Sequence, residues 1–261
     1  MPNQEHLKLL LTGAVTWSQW RNQNLEMEID LSGADLQREN LRGANLQNVN
    51  LNQVNLSRAL LVRTDFSQAN LSSANLSAAQ LIEAIFYQAN LTIANLSGAV
   101  LKAADLREVT LIGANLQGAN LRDAVMTNAN LIGTDLGFAN LKNADLASSQ
   151  FMRGNLSFAN LIGVNLIAAD LSEATLYETE MMQSYLYQAN LYKANLSKCH
   201  LGNSYLFRAN LSQANLTNAD LSFANLKYAN LAGANLTGAN LRGTILTGAN
   251  LRGTIFPKVE Y

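Results

Sequence analysis

The stretch AGANLTGANLRGTILTGANL, residues 232–251, places a leucine at every fifth position. Beginning at Leu31 and stepping by five to Phe256, the chain has 46 such positions, and 40 of them are leucine, so no insertion or deletion breaks the phase. The other six are also large and apolar: Phe66, Phe86, Met126, Phe151, Met181 and Phe256. This spacing decides the fold, because it suits neither an α-helix nor a straight β-strand.

In an α-helix, leucines five residues apart would lie about 140° from one another and would cover every face. In a straight β-strand, side chains alternate with a period of two, so the same leucines would point to opposite sides. Two residues before each leucine is a small residue, alanine in 30 of 46 repeats, and between them is a polar one, Asn in 24 and Asp in 8. A brief extended segment therefore directs the small residue and the leucine inward. The remaining two residues must form a corner, which predicts a coil.

The two variable residues of each repeat support this corner. Glycine is frequent at the second of them, where a bend favours a residue without a side chain. These glycines are Gly33, Gly43, Gly98, Gly113, Gly118, Gly133, Gly163, Gly233, Gly238, Gly243, Gly248 and Gly253. A narrow interior also explains why a large residue alternates with a small one. We interpret the Asn and Asp runs as structural, because stacked amides can hydrogen-bond the backbone and one another from coil to coil.

Units such as Ala234-Asn235-Leu236 and Ala239-Asn240-Leu241 closely resemble the pentapeptide-repeat family of bacterial proteins, over residues 29–258. The resemblance implies an all-β solenoid, the right-handed quadrilateral β-helix or Rfr fold, in which four successive repeats make one square coil. The rod would then have about 11 coils and a length of roughly 55 Å. The five-residue period by itself requires a coil but does not fix four sides.

The chain divides into three predicted parts. Residues 1–28 are expected to form a helical N-terminal cap, residues 29–258 an uninterrupted β-helix, and residues 259–261 a C-terminal tail. The stretch EHLKLLLTG has helical spacing that ends at Gly13, and we favour a helix over a signal peptide, which would need a positive start and a cleavage site. The cytoplasm is the expected location, because no targeting segment is convincing and a lone cysteine suits a reducing compartment. The periplasm and the thylakoid lumen stay open as alternatives.

The ends of a rod need covers, since unpaired strand backbone promotes aggregation. Trp17, Trp20 and Arg21 lie on adjoining turns of a predicted helix, and we expect Trp17 or Trp20 to lie over the leucines of the first coil. Glu39 occupies an inward small position of that coil, where an unpaired carboxylate would be costly, so we expect Arg21 or a free backbone amide to satisfy it. After Phe256, either the tail folds over the last coil or two rods meet end to end as a homodimer.

Composition and motifs argue against catalysis. The 18 basic and 19 acidic residues give a net charge of -1, which argues against nucleic-acid binding. One cysteine and two histidines leave few metal ligands, and Cys199 and His200 should point apart, with Cys199 inward. No glycine-rich phosphate loop is present, and no run approaches the roughly 20 apolar residues of a membrane helix. We predict no catalytic, cofactor or metal site, and no membrane insertion.

The surface offers candidate partner sites. If equivalent residues of successive coils stack, Tyr185 aligns with Tyr205 and Tyr187 aligns with Phe207, which makes a four-aromatic patch on one face. Other apolar columns follow from the same register: Phe138 with Phe158, Ile112 with Ile132 and Met152, and Ile162 with Met182. Exposed apolar clusters often mark partner sites. The alternative is stacking that only stabilises neighbouring coils.

Three functional classes compete. A non-catalytic scaffold that binds an unknown protein partner on a flat face fits best. Some members of the family mimic DNA and bind DNA gyrase, protecting it from quinolones, but those relatives are strongly acidic rods that dimerise through a C-terminal module, which neither the charge of -1 nor the short tail resembles. An ice-binding or enzymatic face is the third class. Its serine and threonine column, Ser57, Ser77, Ser97, Ser157, Ser197, Thr217 and Thr237, is interrupted by Gln117, Gly137 and Tyr177.

Overall fold

The computed structural model describes residues 2–24 and 26–257. Two short helices come first, α1 (Gln4–Leu10) and α2 (Ala14–Gln23). The side chain of Asn3 caps α1 by accepting hydrogen bonds from the backbone N–H groups of Glu5 and His6. The predicted helix therefore forms, but it ends at Leu10 rather than Gly13. Gly13 instead opens α2, with a φ of 116° that suits glycine.

From residue 30 onward the chain is a rod of parallel coils. Each outward polar position pairs with the outward position four repeats further on, from Asp30 with Asn50 to Asn235 with Ile255. The strands are single-residue bridges at every fifth position from 30 to 255. The coil backbones hydrogen-bond each other in the same register, as when the Leu31 N–H donates to the Asn50 carbonyl at 2.8 Å. Because pairing recurs at every fourth repeat and each repeat has one corner, the rod has four sides, as the family resemblance implied.

Every corner from residue 33 to residue 253 is built in the same way. The second variable residue has a positive φ at each of them. At all of these corners except that of Leu176, the carbonyl of the large inward residue also accepts from the N–H of the next small residue, as Leu31 does from Ala34 at 3.1 Å. A positive φ at the third of four turn residues is the signature of a type II turn. Glycine fills only some of these positions, and residues as large as Phe138, with a φ of 60°, occupy others. The corner predicted from the period is confirmed.

The interior is filled as the repeat predicts. The large residues from Leu31 to Leu236 are buried, and Phe66 and Phe86 stack inside with ring centroids 4.9 Å apart. Polar residues in inward small positions satisfy their hydroxyls locally, as Thr64 does by donating to the Leu41 carbonyl at 2.8 Å. Burial of one large apolar residue in every repeat is what holds the coils together.

The outward amides form the expected ladders. A side-chain oxygen of the polar residue accepts the N–H two residues further on, as Asn55 does from Ser57 at 3.2 Å. Its amide nitrogen then donates to the polar residue of the preceding coil, as Asn55 does to Asp35 at 2.9 Å. These paired amides account for the Asn and Asp columns without a ligand.

Side chains of α2 complete the first coil. The Trp17 ring is buried, and its Nε1 donates to the Asn45 carbonyl at 2.7 Å. The Ser18 hydroxyl accepts from the Asn45 N–H at 3.0 Å, and the buried Arg21 donates to the Gln47 carbonyl at 3.1 Å. Trp20 is partly buried against the same core. These groups take the places that a preceding coil would fill, so they shield the edge of the rod.

The prediction for Glu39 was wrong. Glu39 is exposed, and the buried Arg21 donates to the Asn24 and Gln47 carbonyls. An inward position is enclosed only when another coil or a cap lies over it, and the helices leave this part of the first coil open. The carboxylate therefore stays in water, where it needs no buried partner.

The other end of the rod is more open. Leu241, Leu246 and Leu251 are only partly buried, whereas their counterparts one coil earlier are fully buried. Phe256 is 42% exposed and Ile255 is 54% exposed. The tail 259–261, together with Lys258, lies outside the described residues.

Candidate interaction face

One side of the rod differs from the other three in its outward positions. We call it the Tyr185 face. Its outward residues are at position 45 and at every twentieth position after it, up to 245. It also includes the corner residues on either side, which are at positions 42, 43, 47 and 48 and at every twentieth position after each of these. The eleven outward residues on it are Asn45, Asp65, Ile85, Asp105, Val125, Asp145, Asn165, Tyr185, Tyr205, Asn225 and Ile245. Five of these are aliphatic or aromatic. Within the described coils, the other three sides have only Leu60, Val100 and Ile255 as outward residues of this kind.

The four aromatic residues predicted to align do come together on this face. The rings of Tyr185 and Tyr205 stack with centroids 5.2 Å apart and planes 7° from parallel. The Tyr187 ring centroid lies 6.2 Å from that of Tyr205 and 6.3 Å from that of Phe207. Tyr228 continues the group, edge-on to Phe207 at 5.7 Å. The sequence analysis did not include Tyr228 in this group, because position 228 is equivalent to position 208 and not to Phe207. Its ring reaches Phe207 by leaning back towards the preceding coil.

Basic side chains cover exposed faces of these rings. Arg208 lies over the Phe207 ring with its guanidinium carbon 5.2 Å from the centroid, and Lys227 lies over Tyr228 at 5.2 Å. Arg242 lies over Phe223 at 5.9 Å. These distances allow cation–π attraction, which holds the cations against the rings while leaving their outer sides in water. The result is a surface of mixed aromatic and positive character.

Glycines of the following coil make room for the two outermost rings. A Cβ atom added at Gly243 would lie 2.5 Å from Cδ1 of Phe223, and one added at Gly248 would lie 2.5 Å from Cδ1 of Tyr228. Both glycines have a φ of 70°, in the left-handed region. The rings therefore occupy space beside the next corner that is free only because that corner has no side chain. The sequence showed these glycines only as corner residues.

Phe138 and Phe158 belong to a different corner. Their rings stack with centroids 4.9 Å apart, and Phe158 meets Tyr177 edge-on at 5.4 Å. In the register of the coils they are separated from the Tyr185 face by the side that carries Glu180 and His200. The two predicted aromatic groups therefore form two surfaces rather than one.

A charged cluster adjoins this second group. Lys198 Nζ donates to the Tyr177 hydroxyl at 2.8 Å and to Glu178 Oε1 at 2.9 Å. These hydrogen bonds raise the pKa of Lys198 above its ordinary value, and the bond from Lys198 lowers the pKa of Glu178. His200 Nδ1 lies 2.8 Å from Glu180 Oε1. Lys198 pairs with Glu178 and the His200 ring pairs with Glu180, so each carboxylate of the cluster already has a partner.

Cys199 does not join His200. Its Sγ is buried and donates to the Thr179 carbonyl at 3.2 Å, whereas the His200 ring pairs with Glu180 on the surface. Burial raises the pKa of the Cys199 thiol above its ordinary value. A nucleophilic cysteine needs access and a neighbouring base, and the buried Cys199 thiol, which points away from the nearby histidine, has neither arrangement.

Residues 2–24 and 26–257 contain no group of three or more His, Cys, Asp or Glu side chains arranged to hold a metal ion. Neither of the two described helices has the length and apolar character needed to span a bilayer.

Comparison with known proteins gives one consistent answer. The family model described as pentapeptide repeats matches in eight copies. The matched residues are 27–61, 50–87, 59–98, 84–123, 111–146, 149–186, 184–222 and 219–257. A search of curated proteins gives no match.

Solved structures include other pentapeptide-repeat proteins. HetL, a pentapeptide repeat protein involved in heterocyst differentiation regulation from the cyanobacterium Nostoc sp. strain PCC 7120, is 32% identical, with a TM-score of 0.53, over 92% of this chain and 96% of that one. Rfr23 from the cyanobacterium Cyanothece 51142 is 45% identical over 35% of this chain and 63% of that one, with a TM-score of 0.35. QnrB1, a plasmid-mediated fluoroquinolone resistance protein, is 21% identical over 87% and 91% of the two chains, with a TM-score of 0.29.

The repeat matches cover most of the rod, and the likeness to HetL extends over nearly the whole of both chains. The fold expected from the resemblance, a right-handed quadrilateral β-helix, is confirmed, together with the short helical cap predicted from the N-terminal residues. The chain belongs to the pentapeptide-repeat family.

Proposed function

We propose that this protein is a non-catalytic scaffold that binds a protein partner on the Tyr185 face. The observation that carries the proposal is the concentration of aliphatic and aromatic residues there: they fill five of its eleven outward positions, against three on the other three sides together. Stacking between coils would not by itself favour one side of a four-sided rod. A preference for one side is what a contact surface requires.

The comparison with HetL is consistent with such a role. HetL is involved in heterocyst differentiation regulation, and its likeness extends over 92% of this chain. We infer from this a regulatory role exerted through binding, with no catalytic step. The buried thiol of Cys199 and the mutually paired charges around Lys198 support the absence of an enzymatic site. The cytoplasm is the proposed location, and cell fractionation would test it.

No observation favours the DNA-mimicking alternative. A mimic of DNA needs a strongly negative surface, whereas this chain has a net charge of -1 and places cations among the rings of the Tyr185 face. The likeness to QnrB1 is too distant to support that function.

The experiment is affinity capture from the native organism with two matched double variants. Tyr185→Ser with Tyr205→Ser removes the stacked pair of the Tyr185 face, and Phe138→Ser with Phe158→Ser removes the stacked pair of the other corner. We expect the first variant to lose a partner that the wild-type protein and the second variant retain. Loss with the second variant alone would assign the contact to Phe138 and Phe158. Retention by both variants would refute binding through either surface.

We also propose that two rods associate through their C-terminal coils. The partly buried Leu241, Leu246 and Leu251 and the exposed Phe256 form an apolar end surface that a second copy would cover. Sedimentation equilibrium should show a dimer that Phe256→Glu converts to a monomer. A wild-type protein that is monomeric at all concentrations would contradict this association.

A further inference from the structure

The second half of the Tyr185 face is more specialised than the first. Between residues 162 and 248, every exposed large apolar side chain lies on this face. They are Ile167, Met182, Tyr185, Tyr205, Phe223, Tyr228 and Ile245. We propose that this half-face, residues 162–248 of the Tyr185 face, binds an acidic amphipathic α-helix of the partner protein, lying along the rod axis. The inference rests on the proposed function, because it specifies the partner of the same surface.

Charge is segregated in this part of the rod. The half-face carries Arg208, Lys227 and Arg242 and has no carboxylate. The five acidic residues of the same stretch, Asp170, Glu173, Glu178, Glu180 and Asp220, all lie on the other sides. A positive surface on a nearly neutral protein selects a partner of opposite charge.

The cations of the half-face are also available to a partner. In the first half of the Tyr185 face, three of the six basic residues pair with a neighbouring carboxylate: Arg63 with Glu83 at 2.6 Å, Arg107 with Asp105 at 2.6 Å and Arg122 with Asp123 at 3.2 Å. Within the described residues, Arg208, Lys227 and Arg242 form no such ion pair and lie over aromatic rings instead. A carboxylate from a partner would meet a cation that is already held in place, which lowers the entropic cost of binding.

The arrangement of the rings favours a protein over a single-stranded nucleic acid. Nucleic-acid bases bind by stacking on free aromatic faces. Here the Tyr185 and Tyr205 rings use their faces on each other, and cations cover faces of Phe207, Tyr228 and Phe223. A protein partner can instead contact the exposed apolar side chains and the cations held over the rings.

The spacing of the coils favours a helix over an extended strand. Neighbouring coils of the rod are about 4.8 Å apart, and the Tyr185 and Tyr205 rings of two such coils have centroids 5.2 Å apart. An α-helix advances about 5.4 Å per turn, so one apolar residue per turn stays close to one coil. An extended strand presents side chains on one face only about every 6.8 Å. Its side chains would therefore fall out of step with the coils within two coils. An acidic helix with one apolar stripe matches both the chemistry and the repeat of the half-face.

Fluorescence anisotropy with synthetic peptides tests this assignment. The probe is a peptide of about five helical turns with a leucine stripe flanked by glutamates. Two control peptides have the same composition in scrambled order, or lysine in place of glutamate. We expect wild-type protein to bind the probe at least about tenfold more tightly than either control peptide.

Two charge-reversal variants make the test specific. Arg208→Glu with Lys227→Glu should weaken binding of the probe by about tenfold or more, because it reverses two cations of the half-face. Lys193→Glu with Arg252→Glu makes the same change in net charge at exposed corner positions on the far side, and it should leave binding within about twofold.

Three results would overturn the inference: equal binding of the probe and the scrambled peptide, preference for the lysine peptide, or tighter binding of a thymidine oligonucleotide than of the probe. None of these bears on the capture experiment with Tyr185→Ser and Tyr205→Ser. If that variant loses its partner but the acidic probe shows no preference, the face binds protein and the partner chemistry is wrong. If the variant keeps every partner, the proposed function itself fails.

Discussion

The rings of Tyr185 and Tyr205 lie 5.2 Å apart and only 7° from parallel, one coil apart on the same side of the rod. Both residues occupy positions where most repeats have Asn or Asp, so the stack replaces one step of an amide ladder. The stack joins neighbouring coils, and in the proposed function the same two side chains also contact the partner. The structural role and the binding role can be tested separately. Unfolding of the isolated protein measures the first, and an experiment with the partner measures the second.

A double-mutant cycle measures the structural role of the stack. Tyr185→Ser, Tyr205→Ser and the double variant should show a coupling energy of about 0.5–1.5 kcal/mol in urea unfolding, the range for aromatic pairs. Both rings are about 40% exposed, so far-UV circular dichroism of the double variant should match that of the wild type. A coupling energy near zero would mean that the rings do not support each other and that the stack is only a surface feature.

The glycines under the outer rings give a second prediction. Gly243→Ala should be more destabilising than Gly233→Ala, because both positions have nearly the same positive φ but only Gly243 lies under a ring, that of Phe223. In both variants, an alanine must adopt a left-handed φ, which lowers the free energy of unfolding by about 1–2 kcal/mol. The added methyl group at Gly243 must also displace the ring, while the nearest atom at Gly233 is 3.6 Å away, in ordinary contact.

Thermal unfolding of the two alanine variants checks this difference. Phe223→Ala is the matched background, because removal of the ring should make Gly243→Ala and Gly233→Ala equally costly. Equal destabilisation of the two variants with Phe223 present would show that the ring does not occupy the space over the glycine.

Cys199 provides a chemical test of the interior. Burial raises the pKa of its thiol, so the thiol stays protonated as the pH rises through the ordinary range for cysteine. We expect it to react with Ellman's reagent at pH 8 only when urea unfolds the rod. Rapid reaction of the folded protein would contradict both the burial of Cys199 and its assignment as structural.

Much of this structure follows from the five-residue period, and the failures have physical causes. The corner, the inward leucine and the alignment of Tyr185 with Tyr205 depend only on register. The number of sides came from family resemblance, because the period fixes a bend in each repeat but not its angle. The prediction for Glu39 was wrong because an inward position is enclosed only if a coil or a cap lies over it. A repeat pattern does not show where the cap helices lie.

The candidate site was less predictable. Tyr228 and the glycines at 243 and 248 join it because rings lean along the rod, which depends on side-chain conformation rather than on register. The cations over the rings were equally hidden, since long flexible side chains reach rings of the same coil or of the preceding one. The net charge of -1 is a sum over all sides of the rod. It therefore did not predict that the Tyr185 face has cations and no carboxylates over residues 162–248.

The register itself can be tested by insertion. One glycine inserted after Leu131 breaks the pairing between successive coils, so it should lower the free energy of unfolding by at least about 2 kcal/mol and Tm by roughly 4–8 °C. A second copy of residues 112–131 at the same site adds one whole coil and should leave Tm unchanged or raised, since each coil packs only on its neighbours. An equally stable protein with the single glycine would contradict a continuous square coil.

The most direct test of the central claim is photo-crosslinking in extracts of the native organism. Benzoylphenylalanine would replace Phe223, which is 55% exposed on the Tyr185 face, or Lys193, which is exposed at a far corner. We predict that one protein partner is crosslinked from position 223 and not from position 193, and that Tyr185→Ser with Tyr205→Ser abolishes the product. Crosslinking of the same partner from position 193, or from position 223 in the Ser variant without loss, would contradict the claim.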